Sequence, residues 1–344
     1  IFIGCIDPDP RTAGKGITTL ERNRIIVYQN YLQDDCLDIY DGFFSRILYK
    51  KPFVSLKIAC SLDGKIALNN NQSKWITNDL SRNYSHLIRS QNDAIMTTSS
   101  TIIADNPEMN CRLAGLQNRS PTKVILDRYL KVTNDFKIYN SSSNTDILTY
   151  SFLEIAKSLN KNKKIKNIKI EKGLSNEKYF NTIFNDLAIR GINNLLIEAG
   201  SKINTILLSL GLIDKLLIFR SGKIIGNDGL PMIDNLNIHS MYSVENYKLS
   251  YLRTFDDDVL EIRKEFPILA KKVNDKPLIY LDNGASSQKP HTVIETVKNC
   301  YQNEYSNVHR GLHFLSNLAT EKFEAVREKA RSFLGAAHLE EIIF

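Results

Sequence analysis

The feature that most constrains this chain is a repeated alternation of short apolar runs with amphipathic stretches. Its clearest instance is Asn194-Leu-Leu-Ile197, followed at once by Glu198-Ala-Gly200-Ser201 and the apolar helical run Ile203 to Leu210, with Gly211 as the stop. Ala94-Ile-Met96, Lys123-Val-Ile-Leu126 and Leu216-Leu-Ile-Phe219 are further strand-like runs, and Ser81 to Ser90 has a helical period. Strands and helices taking turns in this way predict an α/β sheet with helical crossovers. Phe53 to Ser61 alternates, with Val54, Leu56, Ile58 and Cys60 on one face and Ser55, Lys57, Ala59 and Ser61 on the other, which is the period of a strand. Asp63-Gly64 and then Lys65-Ile-Ala-Leu68 predict that this strand turns back as a hairpin.

Two other segments flank this pattern. Before it, Ile1 to Ile6 reads as a strand, Asp7-Pro-Asp-Pro10 as a turn, Ile17 to Arg22 as a helix and Ile25-Ile-Val27 as a short buried strand. After it, Leu278 to Leu281 reads as a strand, Asp282-Asn-Gly284 as a turn, Pro290 to Tyr301 and Leu315 to Leu334 as amphipathic helices, and Ile342 to Phe344 as a strand. A chain that opens on Ile1 in an apolar run and closes on a bare apolar strand is expected to be cut at both ends.

Composition excludes several classes. With 42% hydrophobic and 24% charged residues the chain is neither wholly disordered nor a disulfide scaffold, and no apolar run is long enough to cross a bilayer. Its five cysteines include no C-x-x-C pair, and no basic flank with a small-residue cleavage site opens the chain. Reduced thiols and a cytoplasmic location are therefore expected. The net charge of +7 invites nucleic acid, but six lysines and one glutamate in residues 161–172 supply +5 of it. They lie in an Asn/Ser/Lys-rich region, residues 139–178, that reads as a solvated loop or insert, and no aromatic residues interleave with them. No nucleic-acid partner is expected.

Several residues could carry chemistry. Glu198 stands at the C-terminal end of a strand, where α/β sheets place their ligands. Gly200 lets a ligand approach the backbone, Ser201 can cap the following helix, and the helix N-terminus with Lys202 suits a phosphate. The competing reading is an ordinary strand-to-helix turn. Lys57 sits mid-strand, where an ammonium either faces a polar pocket or snorkels to solvent. Arg89 and Arg112 could clamp a phosphate or lie on the surface. Trp75, the one tryptophan, reads by itself as a core residue. His309 and His313 lack a third ligand in reach, and no H-x-E with P-C-x-x-C occurs, so zinc is not expected.

Taken together, these runs resemble the bifunctional deaminase/reductase family of riboflavin biosynthesis. The matching stretches are Asp7-Pro-Asp-Pro-Arg-Thr-Ala-Gly-Lys-Gly16, Ser61-Leu-Asp-Gly-Lys-Ile-Ala67, Ser73-Lys-Trp-Ile-Thr77, Thr101-Ile-Ile-Ala-Asp-Asn-Pro107 with Arg112, and Ile197-Glu-Ala-Gly200. The resemblance implies a dihydrofolate-reductase-like reductase domain over residues 48–262, preceded in residues 1–47 by the tail of a cytidine-deaminase-like domain without its zinc ligands, so deamination is not expected. It implies NADPH-dependent reduction of 5-amino-6-(5-phosphoribosylamino)uracil to the ribityl compound, and a homodimer. Ala59, Trp75, Thr101, Asp105 and Gly200, Ser201, Lys202, Ile203, Asn204, Thr205 and Ile206 match the family's NADP positions. Ser73, Arg89, Met109, Arg112 and Glu198 match its substrate positions, with Met109 in place of the usual Leu. Lys57 and Glu198 would flank the reacting ribose carbon as catalytic residues, with the proton donor left open between them.

Residues 263–344 resemble a different family. Phe266-Pro-Ile-Leu269, Tyr280-Leu-Asp-Asn-Gly-Ala-Ser-Ser-Gln-Lys-Pro290, Asn307-Val-His-Arg-Gly-Leu-His313 and Glu340-Glu-Ile-Ile-Phe344 are similar to the start of a cysteine desulfurase of the iron–sulfur assembly type, a truncated pyridoxal-phosphate transferase fold, with Gly284 for the usual Ala. The positions of that family's cofactor lysine, stacking histidine and catalytic cysteine fall past Phe344, so pyridoxal phosphate and desulfurase activity are not expected. Asp258 to Ile262 reads as the reductase's last strand and Ile262 to Pro267 as the desulfurase's first helix, with no linker between. A joined fragment is expected here in preference to an evolved fusion. The alternatives are a non-functional desulfurase fragment and an inactive reductase-fold interaction module.

Overall fold

The computed structural model describes residues 1–141, 145–154, 164–239 and 247–265, and beyond them residues 272–273, 276–277, 314–334 and 338. The chain divides into two compact units, Ile1–Glu265 and Phe266–Phe344.

The first unit is built on a nine-stranded sheet. In chain order its elements are α1 (Lys15–Arg22), α2 (Gln33–Phe44), β1 (Phe53–Cys60), β2 (Lys65–Leu68), α3 (Asp79–Ser90), β3 (Ala94–Thr98), α4 (Ser99–Asp105), β4 (Thr122–Leu126), α5 (Lys137–Asn140), β5 (Ile147–Ser151), β6 (Ile165–Lys169), α6 (Asn176–Ile189), β7 (Asn194–Ile197), α7 (Ser201–Ser209), β8 (Lys215–Arg220), β9 (Gly229–Pro231), β10 (Tyr247–Phe255) and β11 (Asp258–Glu265). The strand order is β10-β11-β8-β1-β7-β3-β4-β5-β6. From β8 to β6 neighbouring strands are parallel, and β11 and β10 are added antiparallel at one edge.

The alternation in β1 does what its period requires. Val54, Leu56, Ile58 and Cys60 enter one buried cluster with Leu195, Ile197, Leu207, Phe180 and Phe184, under α6 and α7. Ala59 packs against a second cluster on the opposite face, formed by Ile88, Ile95, Ile102, Ile125 and Phe219. Each fully buried Leu, Ile or Phe side chain contributes about 1.5–3 kcal/mol. Helix starts follow local chemistry: Asn78 caps α3 by accepting from the Ser81 N–H at 2.9 Å, and Ser175 caps α6. After α7, Gly211 adopts a left-handed φ of 60°, as the sequence stop required.

Four expectations fail for identifiable reasons. The Asp63-Gly64 turn forms, but β2 does not pair with β1. Both edges of β1 are taken by β7 and β8, so β2 pairs instead with β9. Residues 139–178 are not simply a loop, because β5 and β6 lie within them and extend the sheet. Ile1 to Ile6 makes only a bridge from Phe2 to Tyr28, and Ile25 and Ile26 are 39% and 70% exposed, so no buried strand forms there. Ile262 to Glu265 is strand, not helix, because it pairs with both β8 and β10.

In the second unit the predicted helix is present as α8 (Phe314–Leu334), and of its described side chains only Ser316 is buried. The readings at Leu278 to Leu281, Asp282 to Gly284, Pro290 to Tyr301 and Ile342 to Phe344 lie outside the described residues, as do Cys300, His309 and His313. Cys5, Cys36, Cys60 and Cys111 are free thiols. No helix is long and apolar enough to cross a membrane among the described residues.

Candidate active site

β1 and β7 are neighbours at the centre of the sheet, with Leu56 in register with Ile197. Lys57 on β1 and Glu198, the first residue past β7, are therefore brought together. The Lys57 Nζ lies 3.8 Å from Glu198 Oε2, and each side chain is 14% exposed. Lys57 is thus neither an edge residue nor a snorkelling one. Its ammonium also stands 5.6 Å over the Phe219 ring.

Arg89, in the last turn of α3, grips the same carboxylate with two parallel bonds. Its Nε donates to Oε1 at 2.8 Å and its Nη2 to Oε2 at 2.9 Å. Its Nη1 donates to the Asn110 carbonyl at 3.1 Å. His86, one helical turn earlier, donates from Nδ1 to that carbonyl at 3.1 Å. Because this nitrogen carries its proton toward Asn110, the 3.4 Å approach of the Arg112 N–H to it is a contact and not a bond.

The electrostatics follow from this packing. Burial alone would raise the pKa of Glu198, but Arg89 and Lys57 outweigh it and hold the carboxylate at about 2. Burial lowers the pKa of Lys57 below the usual lysine value, opposed by Glu198 and reinforced by Arg89. Burial, with the charges of Arg89 and Arg112, lowers His86 to about 4, so its ring is neutral near pH 7.

Beside Glu198, α7 opens without a side-chain cap. Gly200 is the N-cap residue and Ser201 the first helical residue, which corrects the expectation that Ser201 caps the helix. A Cβ built on Gly200 would meet nothing within 4 Å, so the space before the helix is open. In the first turn the Ile203 N–H already donates to Gly200 O at 3.1 Å, so the N–H groups of Ser201 and Lys202 are the ones without an acceptor inside the helix. Lys202 is exposed. The rest of the stretch is committed elsewhere: Ile203 and Ile206 pack on the core, and Thr205 donates to Ser201 O at 2.8 Å and accepts from Asp234 N at 2.7 Å. Asn204 is buried, its Nδ2 donating to Met232 O at 2.9 Å and its Oδ1 left without a partner.

The remaining candidates form other groups. Thr98 caps α4 by accepting from Thr101 N at 3.2 Å, and Asp105, at the far end of α4, accepts from Ser73 Oγ at 3.3 Å. Trp75 is 59% exposed, so it is not a core residue. The Arg82 guanidinium lies 4.3 Å over its ring. Ala59 lies on β1 in register with Phe219. Met109 is 3% exposed, its side chain in the core and its φ 53°. Arg112 is exposed and donates from Nη1 to Asn110 Oδ1 at 3.2 Å. Hydrogen bonds and ion pairs thus join Lys57, Glu198, Arg89, His86, Asn110 and Arg112 into one network. Arg89, expected to clamp a phosphate, is engaged here with Glu198. His86 and Asn110 escaped the sequence reading. Their only signals were a histidine three residues before Arg89 on one helix face and an asparagine two before Arg112. Among the described residues no group of three or more His, Cys, Asp or Glu side chains is placed to hold a metal ion.

Comparison with known proteins matches two stretches of the chain to families. The RibD C-terminal domain family matches residues 52–260, and the aminotransferase class-V family matches residues 279–344. The riboflavin biosynthesis protein RibD of Buchnera aphidicola is 30% identical over 296 residues, covering 80% of this chain and 74% of that protein. A solved structure from Thermotoga maritima, a diaminohydroxyphosphoribosylaminopyrimidine deaminase/5-amino-6-(5-phosphoribosylamino)uracil reductase, is similar with a TM-score of 0.66 and 28% identity, covering 77% of this chain and 70% of that one. A cysteine desulfurase of Pectobacterium atrosepticum is 55% identical over 83 residues, which is 24% of this chain and 20% of that enzyme. The α/β reductase-type fold expected from the sequence is thereby established, and the chain belongs to the RibD C-terminal domain family.

Proposed function

We propose that the chain is an oxidoreductase of riboflavin synthesis that reduces 5-amino-6-(5-phosphoribosylamino)uracil to its ribityl product at the Lys57–Glu198 pair, with NADPH as cofactor. The observation that carries this reading is a largely buried lysine in the middle of β1 and an ionised glutamate just past the C-terminal end of β7, 3.8 Å apart, beside an uncapped helix start. The open space at Gly200 and the N–H groups of Ser201 and Lys202 at the start of α7 fit the pyrophosphate of a dinucleotide. Bound NADPH would supply the hydride.

The side chains divide the remaining work. Opening the ribose ring needs a proton at the ring oxygen as the anomeric carbon is reduced. Glu198, held at about 2, is a poor acid near pH 7. Lys57 stands against that carboxylate, and burial lowers its pKa below the usual lysine value, which makes it a stronger acid than an ordinary lysine. Lys57 is therefore the proton donor in this reading. Glu198 keeps the ammonium in place and stabilises positive charge developing on the anomeric carbon and its nitrogen. Arg89 fixes the carboxylate in one orientation, and exposed Arg112 is left to meet the substrate phosphate. Ser73, Thr101 and Asp105 around α4, with Trp75, would border the bound molecules.

Residues 48–262 make up the reductase domain in this proposal, with the last strand carried on to Glu265. Residues 1–47 are a deaminase-domain tail, the protein is a homodimer, and residues 263–344 contribute no chemistry. The test is loss of NADPH absorbance on adding the ribosylaminouracil phosphate to the full chain, beside Glu198→Gln. Turnover that the variant loses is expected; equal rates in the two proteins would overturn the assignment.

A further inference from the structure

Asn110 lies between a carboxylate and a guanidinium and bonds to both. Its Nδ2 donates to Glu108 Oε2 at 2.7 Å, and its Oδ1 accepts from Arg112 Nη1 at 3.2 Å. Its main-chain carbonyl accepts from Arg89 and from His86, each at 3.1 Å. The residue is 4% exposed, and the buried side chains of Met109 and Cys111 on either side already anchor the loop. The amide is thus not needed to hold the backbone. It is spent wholly on two side chains of opposite charge, one of which, Arg112, is exposed.

We propose that Asn110 is a positioning residue for the substrate's phosphate: its side-chain amide is interposed between Glu108 and Arg112, so that the two do not pair and Arg112 keeps its charge for an anion. An ion pair satisfies the charge of both partners, whereas a neutral amide bridges them by hydrogen bonds and leaves the guanidinium's remaining donors available. The carbonyl of the same residue fixes Arg89 on Glu198, so one loop residue links the phosphate end of the site to its reacting end. The inference rests on the reductase reading above, because the anion it serves is the phosphate of that substrate.

The test is calorimetric binding of ribose 5-phosphate to the full chain, with KM for the phosphorylated substrate as a second readout. Removing the amide in Asn110→Leu lets Glu108 pair with Arg112, and binding is expected to weaken about tenfold, with KM rising more than kcat falls. Adding Glu108→Gln to that variant removes the competing carboxylate and is expected to recover most of the loss. Asn110→Ser repeats the comparison with a smaller side chain should the leucine variant not fold. A double variant as weak as the single one, or an Asn110→Leu protein that binds like the wild type, overturns the proposal while leaving the reductase reading intact. If the wild-type chain binds no ribose 5-phosphate, the phosphorylated-substrate reading itself fails and the proposal falls with it.

Discussion

Lys57 and Lys123 both lie inside the sheet, on β1 and β4, and they are held in opposite ways. Lys57 faces an ionised carboxylate at 3.8 Å, keeps 14% of its side chain exposed and stands next to the open start of α7. Lys123 is 1% exposed and donates to the carbonyl of Ile138, in the short helix α5, at 2.9 Å. A four-residue helix leaves its carbonyls without intrahelical partners, so Lys123 serves as their donor. Burial lowers its pKa to about 8. The contrast separates a lysine held as a structural donor from the one proposed for the chemistry. Burial is common to both, and Glu108 opposes it at Lys123 from a distance, whereas of the two only Lys57 has a carboxylate within ion-pair distance and a path to solvent.

The comparison breaks most sharply at Glu198. Glu198→Gln leaves Lys57 and Arg89 without their counter-ion, and kcat should fall by about 10²–10⁴-fold in the NADPH oxidation assay. A fall of less than about tenfold would put the chemistry elsewhere. Next comes the paired lysine exchange. Lys57→Met should lose at least about a hundredfold in kcat, while Lys123→Met keeps wild-type turnover and shifts the denaturation midpoint by the equivalent of about 1–3 kcal/mol. Equal losses in both would erase the distinction.

The third prediction concerns pH. The folded pKa of Lys123 lies near 8 against an ordinary value of 10.5. The unfolded chain therefore binds the extra proton between these values, and the contribution of Lys123 to stability improves as pH rises through that window. At about 1.4 kcal/mol per pK unit, the wild type should gain about 3 kcal/mol relative to Lys123→Met between pH 8 and pH 10.5. Urea titrations of both proteins across that range measure it, and parallel curves would show that Lys123 does not titrate as stated. The smallest effect is expected at Gly200→Ala. The added Cβ meets nothing within 4 Å and φ is −83°, so stability should change by less than about 1 kcal/mol. A dinucleotide seated on the start of α7 would nevertheless meet that methyl group, and the KM for NADPH should rise. An unchanged KM would move the cofactor away from Gly200.

Part of this was legible in the chain. Strands β1, β3, β4, β7 and β8 and helices α3 and α7 follow from side-chain periods that are local properties. Glu198 and Gly200 stood out because a strand-end acid followed by a glycine and a helix is a recognisable local pattern. Lys57 stood out as a lysine in the middle of an apolar strand run, whereas Lys123 was read only as part of a strand, because its bond to Ile138 joins segments that no local pattern connects. The Ile25 to Val27 reading failed because an apolar triplet becomes a strand only where an edge is free to receive it.

The α/β class, the points where strands give way to helices, and the lysine, glutamate and arginines proposed for the chemistry could all be read along the chain. These follow from periodicity, turn residues and caps, all of which act within a few residues. That β1 runs between β7 and β8 came from the packing of the sheet, and with that order came the Lys57–Glu198 pair, the diversion of β2 to β9 and the grip of Arg89 on Glu198. Asn110 became visible for the same reason. Contacts between distant parts of the chain depend on strand order and helix placement, which are set by the packing of the whole sheet and by no single segment.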